Sequence, residues 1–190
     1  MPVDAALLTV HVLAVLTMLA SLATDWIGVL RLRHATTLAQ ARRGVAILEM
    51  SAAFGVWGRL AVLATGLWLA IDAWHWQGWI IAGLLGWTAL VALGEPLTGK
   101  DLRKMAKAAR KADDDVTPKL AAKIYHPRLW SSVLTRTGVG AAVLAVMLAK
   151  PGLIPALALL LGGYAVGALT ARLTAAHQTL PTAPGSPLDP

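Results

Sequence analysis

The sequence predicts an all-α fold: a polytopic transmembrane helical bundle of five membrane-spanning helices, with the N-terminus outside the cytoplasm and the C-terminus inside. Three observations predict it. The 190 residues are 57% hydrophobic and only 14% charged, with a mean hydropathy of +0.63, whereas a soluble domain carries about a quarter charged residues. The apolar residues gather into runs of the roughly 17 to 25 residues needed to cross a hydrocarbon core. The 17 basic residues are distributed one-sidedly about those runs.

The first run, Ala5–Leu30, has no basic stretch before it, is followed by Arg31 and Arg33, and is long enough to span. It therefore reads as a retained helix and not as a cleaved signal. The second spans about Ser51–Ala73, the third about Gly78–Leu93, the fourth Leu129–Ala149 and the fifth Leu153–Leu173. The loop after the first holds Arg31, Arg33, Arg42 and Arg43, and the loop after the third holds nine more basic residues between Lys100 and Arg128. With Arg172, this puts both loops and the C-terminus in the cytoplasm, because cytoplasmic loops retain Lys and Arg. The Asp72–Gln77 and Lys150–Gly152 turns and the N-terminus face outward with Lys150 as their one basic residue. The tryptophans follow the same division, with Trp68, Trp74, Trp76 and Trp79 at the outer interface and Trp26 and Trp130, with Tyr125, at the inner one, as aromatic belts do. Trp57 and Trp87 fall deeper and are expected to pack between helices.

Between Lys100 and Ala112, Leu102, Met105, Ala106 and Ala109 recur at helical spacing among Lys and Arg. This describes an amphipathic helix, either lying on the inner membrane surface against anionic lipid head groups or solvated and serving topology alone. Asp113–Asp115 and Pro118 end it, and a second short helix is expected over Lys119–Tyr125 before Pro127 opens the next span. Residues 1–173 thus form one transmembrane domain with a cytoplasmic amphipathic loop at 100–127, and 174–190, rich in Pro, Thr and Ala, form a disordered tail. Gly163 and Gly167 make a GxxxG pair, and Gly55, Gly58, Gly66, Ala82, Gly86, Gly138 and Gly140 mark further close helix approaches, within the chain or between copies.

The absence of Cys removes disulfides, thiolate metal sites and cysteine catalysis. No nucleophile–base arrangement, phosphate loop or paired-histidine motif occurs, so no catalytic residue is assigned. The net charge of +7 is accounted for by orientation, and nucleic acid is not an expected partner. The expected partners are the lipid bilayer, anionic head groups at the cytoplasmic loop, and a second copy or another membrane protein.

Ionisable groups inside a span are costly, about 2.5 to 3.5 kcal/mol at the centre, and each prompts a functional reading. Asp25, Glu49, Arg59, Glu95 and Arg136 all fall in the inner half. Together they read either as structural ion pairs or as a polar cluster for an anion, a proton or a lipid phosphate, with Asp25 or Glu95 expected to hold Arg59. The outer half offers His11 and, seven residues on, Met18; Asp25 follows after another seven, so all three share one helical face, and His75 is expected at a depth similar to that of His11. Imidazole with a second imidazole or a thioether is a ligand set for haem b or copper; the bland reading of His11 is a hydrogen-bonded packing residue.

The opening LLTVHVLAVL and the stretch ATGLWLAIDAWHWQGWIIAGLLGWTAL resemble a widespread family of small bacterial integral membrane proteins known as a domain of unknown function, over roughly residues 5 to 95. His11 in the outer half of the first helix is also distantly similar to a histidine in CopD copper-resistance proteins and HemJ-type protoporphyrinogen oxidases. That resemblance implies cofactor binding at His11, and the family implies a multi-pass protein of the bacterial inner membrane. The functional expectation is a non-enzymatic accessory or small-ligand-binding bundle; the alternatives are a haem- or copper-handling protein using His11 and a small transporter.

Overall fold

The computed structural model describes residues 5–94, 100–111, 124 and 126–176. Among them, every regular element is helical: α1 (Ala5–Arg33), α2 (Leu38–Leu69, continued by a π-helical turn, Ala70–Trp74), α3 (Gly78–Gly94), α4 (Lys100–Lys111), α5 (Pro127–Ala149) and α6 (Leu153–Ala176). Four of these, α1, α2 with its π turn, α5 and α6, are long and apolar enough to cross a membrane, and α3 is a shorter apolar helix of 17 residues. The outward faces are apolar too, with Leu148 85% and Ile154 81% exposed, a surface that water does not favour and lipid does.

The second helix departs from expectation. It begins at Leu38 and not near Ser51, so Arg42 and Arg43 lie on a helix instead of in a loop, and Glu49 is in its interior. Reading by uncharged runs stops at the first charge, but a helix does not. Thr37 caps this one, accepting a hydrogen bond from the Gln40 N–H, while Gln40 Oε1 accepts from the Thr36 N–H at 2.8 Å, a variant of the reciprocal capping box. With the π turn, α2 has 37 residues, roughly 55 Å at 1.5 Å per residue against a hydrocarbon core of about 30 Å. Its basic end overruns any membrane.

The amphipathic helix covers that overrun. α4 forms as expected, but Leu102, Met105, Ala106 and Ala109 are buried against Val29, Leu32, Leu38, Ala41, Val45 and Leu48 of the α1–α2 hairpin. The apolar face assigned to the membrane surface is therefore taken up by protein. Arg42 Nε donates to the Ala109 carbonyl oxygen at 2.9 Å, and Arg110 pairs with Glu49. The second short helix, the acidic break and the tail fall outside the described residues, apart from Ile124, which joins the same core.

The described helices fall into two groups. α1 packs along α2, which carries α4; α5 packs along α6, with α3 against both; α1 and α5 join the groups. The Gly163–Gly167 pair is used inside the second group: a Cβ at Gly163 would collide with the Gly138 carbonyl, and one at Gly167 would lie 2.6 Å from the Leu134 carbonyl oxygen. At the other end from α4, Trp74 and Trp79 meet edge to face at 5.3 Å, with the Lys150 ammonium over both rings. Trp26 and Trp130 make the corresponding contact at 5.2 Å at the basic end, where Arg33 lies over Trp130. Trp57 does not pack between helices as expected; it is 72% exposed on the apolar surface.

Candidate functional site

The seven-residue recurrence on α1 is answered on α2. His11 faces Thr65 and Gly66, the Met18 backbone lies over Gly58, Asp25 meets Ser51, and Leu32 fills the space at Gly44. Each seven-residue step along α1 is matched by a step of seven or eight back along α2, the pattern of an antiparallel helix pair with small residues on one side of its seam. The face carrying His11, Met18 and Asp25 is the one on which the two helices pack.

His11 Nδ1 and Thr65 Oγ1 are 2.8 Å apart, and the Thr65 hydroxyl lies 2.6 Å from the Ala61 carbonyl oxygen. The hydroxyl has one proton and gives it to that carbonyl, so the imidazole Nδ1–H donates to Thr65. The lone pair is then on Nε2. His75 is not brought to the same depth: it follows the π turn with φ of 44° and an exposed side chain, ten residues beyond Thr65 and roughly 15 Å further along the axis at 1.5 Å per residue. Met18 shares the seam, so His11, Met18 and His75 do not converge as one ligand set. Among the described residues there is no cluster of three or more His, Asp or Glu placed to hold a metal.

Three of the charges expected in the inner half, Asp25, Arg59 and Arg136, converge, with a pairing the sequence did not indicate. Asp25 of α1 is bound by Arg136 of α5, Nη1 to Oδ2 at 2.9 Å; of the two carboxylates expected to hold Arg59, Asp25 is thus taken by Arg136, and Glu95 lies outside the described residues. The Ser51 hydroxyl lies 2.7 Å from Asp25 Oδ1, and Ser21 and Ser51 cross-bond between α1 and α2, Ser51 Oγ to the Ser21 carbonyl oxygen at 2.8 Å and Ser21 Oγ to the Ser51 carbonyl oxygen at 3.2 Å. Arg136 Nε donates to the Ser132 carbonyl oxygen at 3.3 Å. Nη2 of Arg136 is buried and has no hydrogen-bond partner among the described residues.

Beside this pair is a cavity of about 50 Å³ lined by Ser21, Asp25, Ser51, Arg59 and Arg136, with apolar walls that include Leu90 of α3 and Leu102 of α4. Gly55 makes room for the Ser21 and Arg59 side chains, since a Cβ there would collide with Ser21 Oγ and lie 3.3 Å from Arg59 Nη1. Arg59 thus reaches back one turn, as helical side chains lean toward the N-terminus. Trp87 Nε1 donates to the Arg59 carbonyl oxygen at 3.1 Å, tying α3 to α2 at this level. Glu49 lies apart, in its exposed pair with Arg110, and Glu95 falls outside the described residues. The sequence reading omitted Ser21 and Ser51, although Ser21 stands four residues before Asp25, on the same helical face.

No protein-family model, no curated protein and no solved structure matches this chain.

Proposed function

We propose that this chain is a non-enzymatic membrane protein of the bacterial inner membrane, with five spans and the N-terminus outside, that binds a small ligand in the polar cavity between its two helical groups. One observation carries the ligand reading. A hydrogen-bonded ion pair, two serines and a second arginine surround a cavity among helices long and apolar enough to cross a membrane, and polar groups buried at such depth mark binding sites or pathways. The cavity admits about three waters at roughly 15 Å³ each, so it suits a group of a few heavy atoms. α3 counts as the fifth span because 17 residues rise about 26 Å, close to the hydrocarbon thickness. The one-sided basic residues set the orientation.

Native mass spectrometry of the full chain in lipid nanodiscs tests the ligand reading. A reproducible small-molecule increment, absent from Gly94→Leu, whose side chain would enter the cavity that Gly94 lines, is expected; an unliganded mass in every preparation would refute it. For orientation, a single cysteine replacing Gln77 should react with an impermeant reagent in intact cells and one replacing Lys107 should not. The reverse pattern would overturn the N-out assignment.

A second reading, a haem b or copper site at His11, is favoured by the Nδ1–H bond to Thr65, since a ligating imidazole donates its other N–H to a fixed acceptor. Purified protein would then carry visible absorbance or copper, lost in His11→Ala; colourless, copper-free protein would exclude it.

A further inference from the structure

We propose that the ligand of this cavity is an anionic group the size of a carboxylate or phosphate, held by Arg136 Nη2 in the cavity that Arg59 also lines; this rests on the small-ligand reading above. The groups around the cavity are complementary to an acceptor. Asp25 Oδ2 accepts from Arg136, the single Ser51 hydroxyl proton lies between Asp25 Oδ1 and the Ser21 carbonyl oxygen, and the Ser21 hydroxyl is directed at the Ser51 carbonyl oxygen. What is left over is a donor: Nη2 of Arg136, buried, on a side chain only 11% exposed, and without a partner among the described residues. A buried guanidinium N–H without an acceptor is heavily penalised and rarely tolerated, and the lipid around these helices offers it nothing. The group that completes this shell must accept hydrogen bonds, and because the donor belongs to a guanidinium, a charge-assisted bond to a negatively charged oxygen is the strongest it can make.

The surroundings favour the same sign. α4 contributes Leu102 to the cavity wall, and its outward face exposes Arg103, Lys104, Lys107, Arg110 and Lys111. A concentration of positive charge at the basic end raises the local concentration of anions and speeds their arrival. The shared chemistry, an oxyanion on a guanidinium fork, is available from a free anion or from a lipid phosphate entering between the helical groups.

The test uses the full chain in phosphatidylcholine nanodiscs, titrated separately with inorganic phosphate, acetate and dihexanoyl phosphatidic acid, following thermal unfolding and the emission of Trp26 and Trp87. These two indoles donate to Thr137 and to the Arg59 carbonyl beside the site. A saturable shift is expected, weakened at least tenfold in Arg136→Lys, which keeps a cation for Asp25 but removes the Nη2 donor. Gly94→Leu is the second variant: a Cβ at Gly94 would lie 3.6 Å from Arg136 Cδ and Nη1, an ordinary contact, so the side chain fills the space beside the guanidinium while both charges remain. It should abolish the shift. A response to phosphatidic acid alone assigns the site to a lipid phosphate, and a response to phosphate or acetate assigns it to a free anion; either supports the proposal. Absence of any shift in the wild type, or shifts unchanged in both variants, overturns it and leaves Nη2 to water. If native mass spectrometry still finds a neutral or cationic molecule lost in Gly94→Leu, the ligand class is wrong and the small-ligand reading survives; if it finds nothing, both fall.

Discussion

Asp25–Arg136 and Glu49–Arg110 both close at 2.9 Å, but each side chain of the first pair is 11% exposed while Glu49 and Arg110 are 39% and 73% exposed. The first joins α1 to α5 among apolar helices and beside a cavity. The second joins α2 to α4 where water reaches both groups. Distance alone therefore says little about what a pair contributes. In water a surface pair is screened and its median contribution is about 0 to 1 kcal/mol, whereas a buried charge stripped of its partner is destabilising by about 3 to 5 kcal/mol.

Four substitutions separate the buried pair and its surrounding packing from the exposed pair. Arg136→Leu leaves Asp25 buried without its cation and should lower stability by about 3 to 5 kcal/mol, read as reversible unfolding in mixed micelles; a loss below about 1 kcal/mol would mean that Asp25 finds another partner. Met105→Ala removes a side chain 2% exposed in the core under α4 and should lower stability by about 2 to 4 kcal/mol, with faster proteolysis near α4. If stability held and α4 stayed protected, its basic face and not its apolar face would be holding it. Gly138→Ala places a methyl against the Gly163 carbonyl and should be destabilising by about 1 to 3 kcal/mol, without touching either ion pair. Glu49→Gln should change stability by less than about 1 kcal/mol, and even that difference should fade in high salt; a larger, salt-independent loss would erase the contrast between the two pairs.

Much of this architecture was legible in the sequence, because length and apolarity are what a bilayer demands of a helix. The apolar stretches of α1, α3, α5 and α6 end within a few residues of the structural elements, with Pro127 and Lys150 bounding α5. The start of α2 was missed for a definable reason: charge ended the apolar run at Glu49, although Thr37, Gln40 and the spacing of Leu38, Ala41, Val45 and Leu48 already described a capped helix with one buried face. The recurrence of His11, Met18 and Asp25 was read correctly as one face. Its packing role required the matching small residues Gly44, Ser51, Gly58 and Gly66 on α2, which were equally visible but were not set against it. The choice between Arg59 and Arg136 as the partner of Asp25 was not legible, since both are arginines at similar depth and only the α1–α5 approach selects one.

The central claim, that a buried ion pair joins the two helical groups, is tested most directly by a double-mutant cycle on Asp25 and Arg136 in lipid nanodiscs. Asp25→Leu and Arg136→Leu should each be strongly destabilising, and the double variant should recover at least about 2 kcal/mol relative to their sum, because removing both charges leaves none uncompensated. The same cycle on Glu49 and Arg110 should give a coupling below about 1 kcal/mol. Strict additivity at Asp25 and Arg136 would contradict the account.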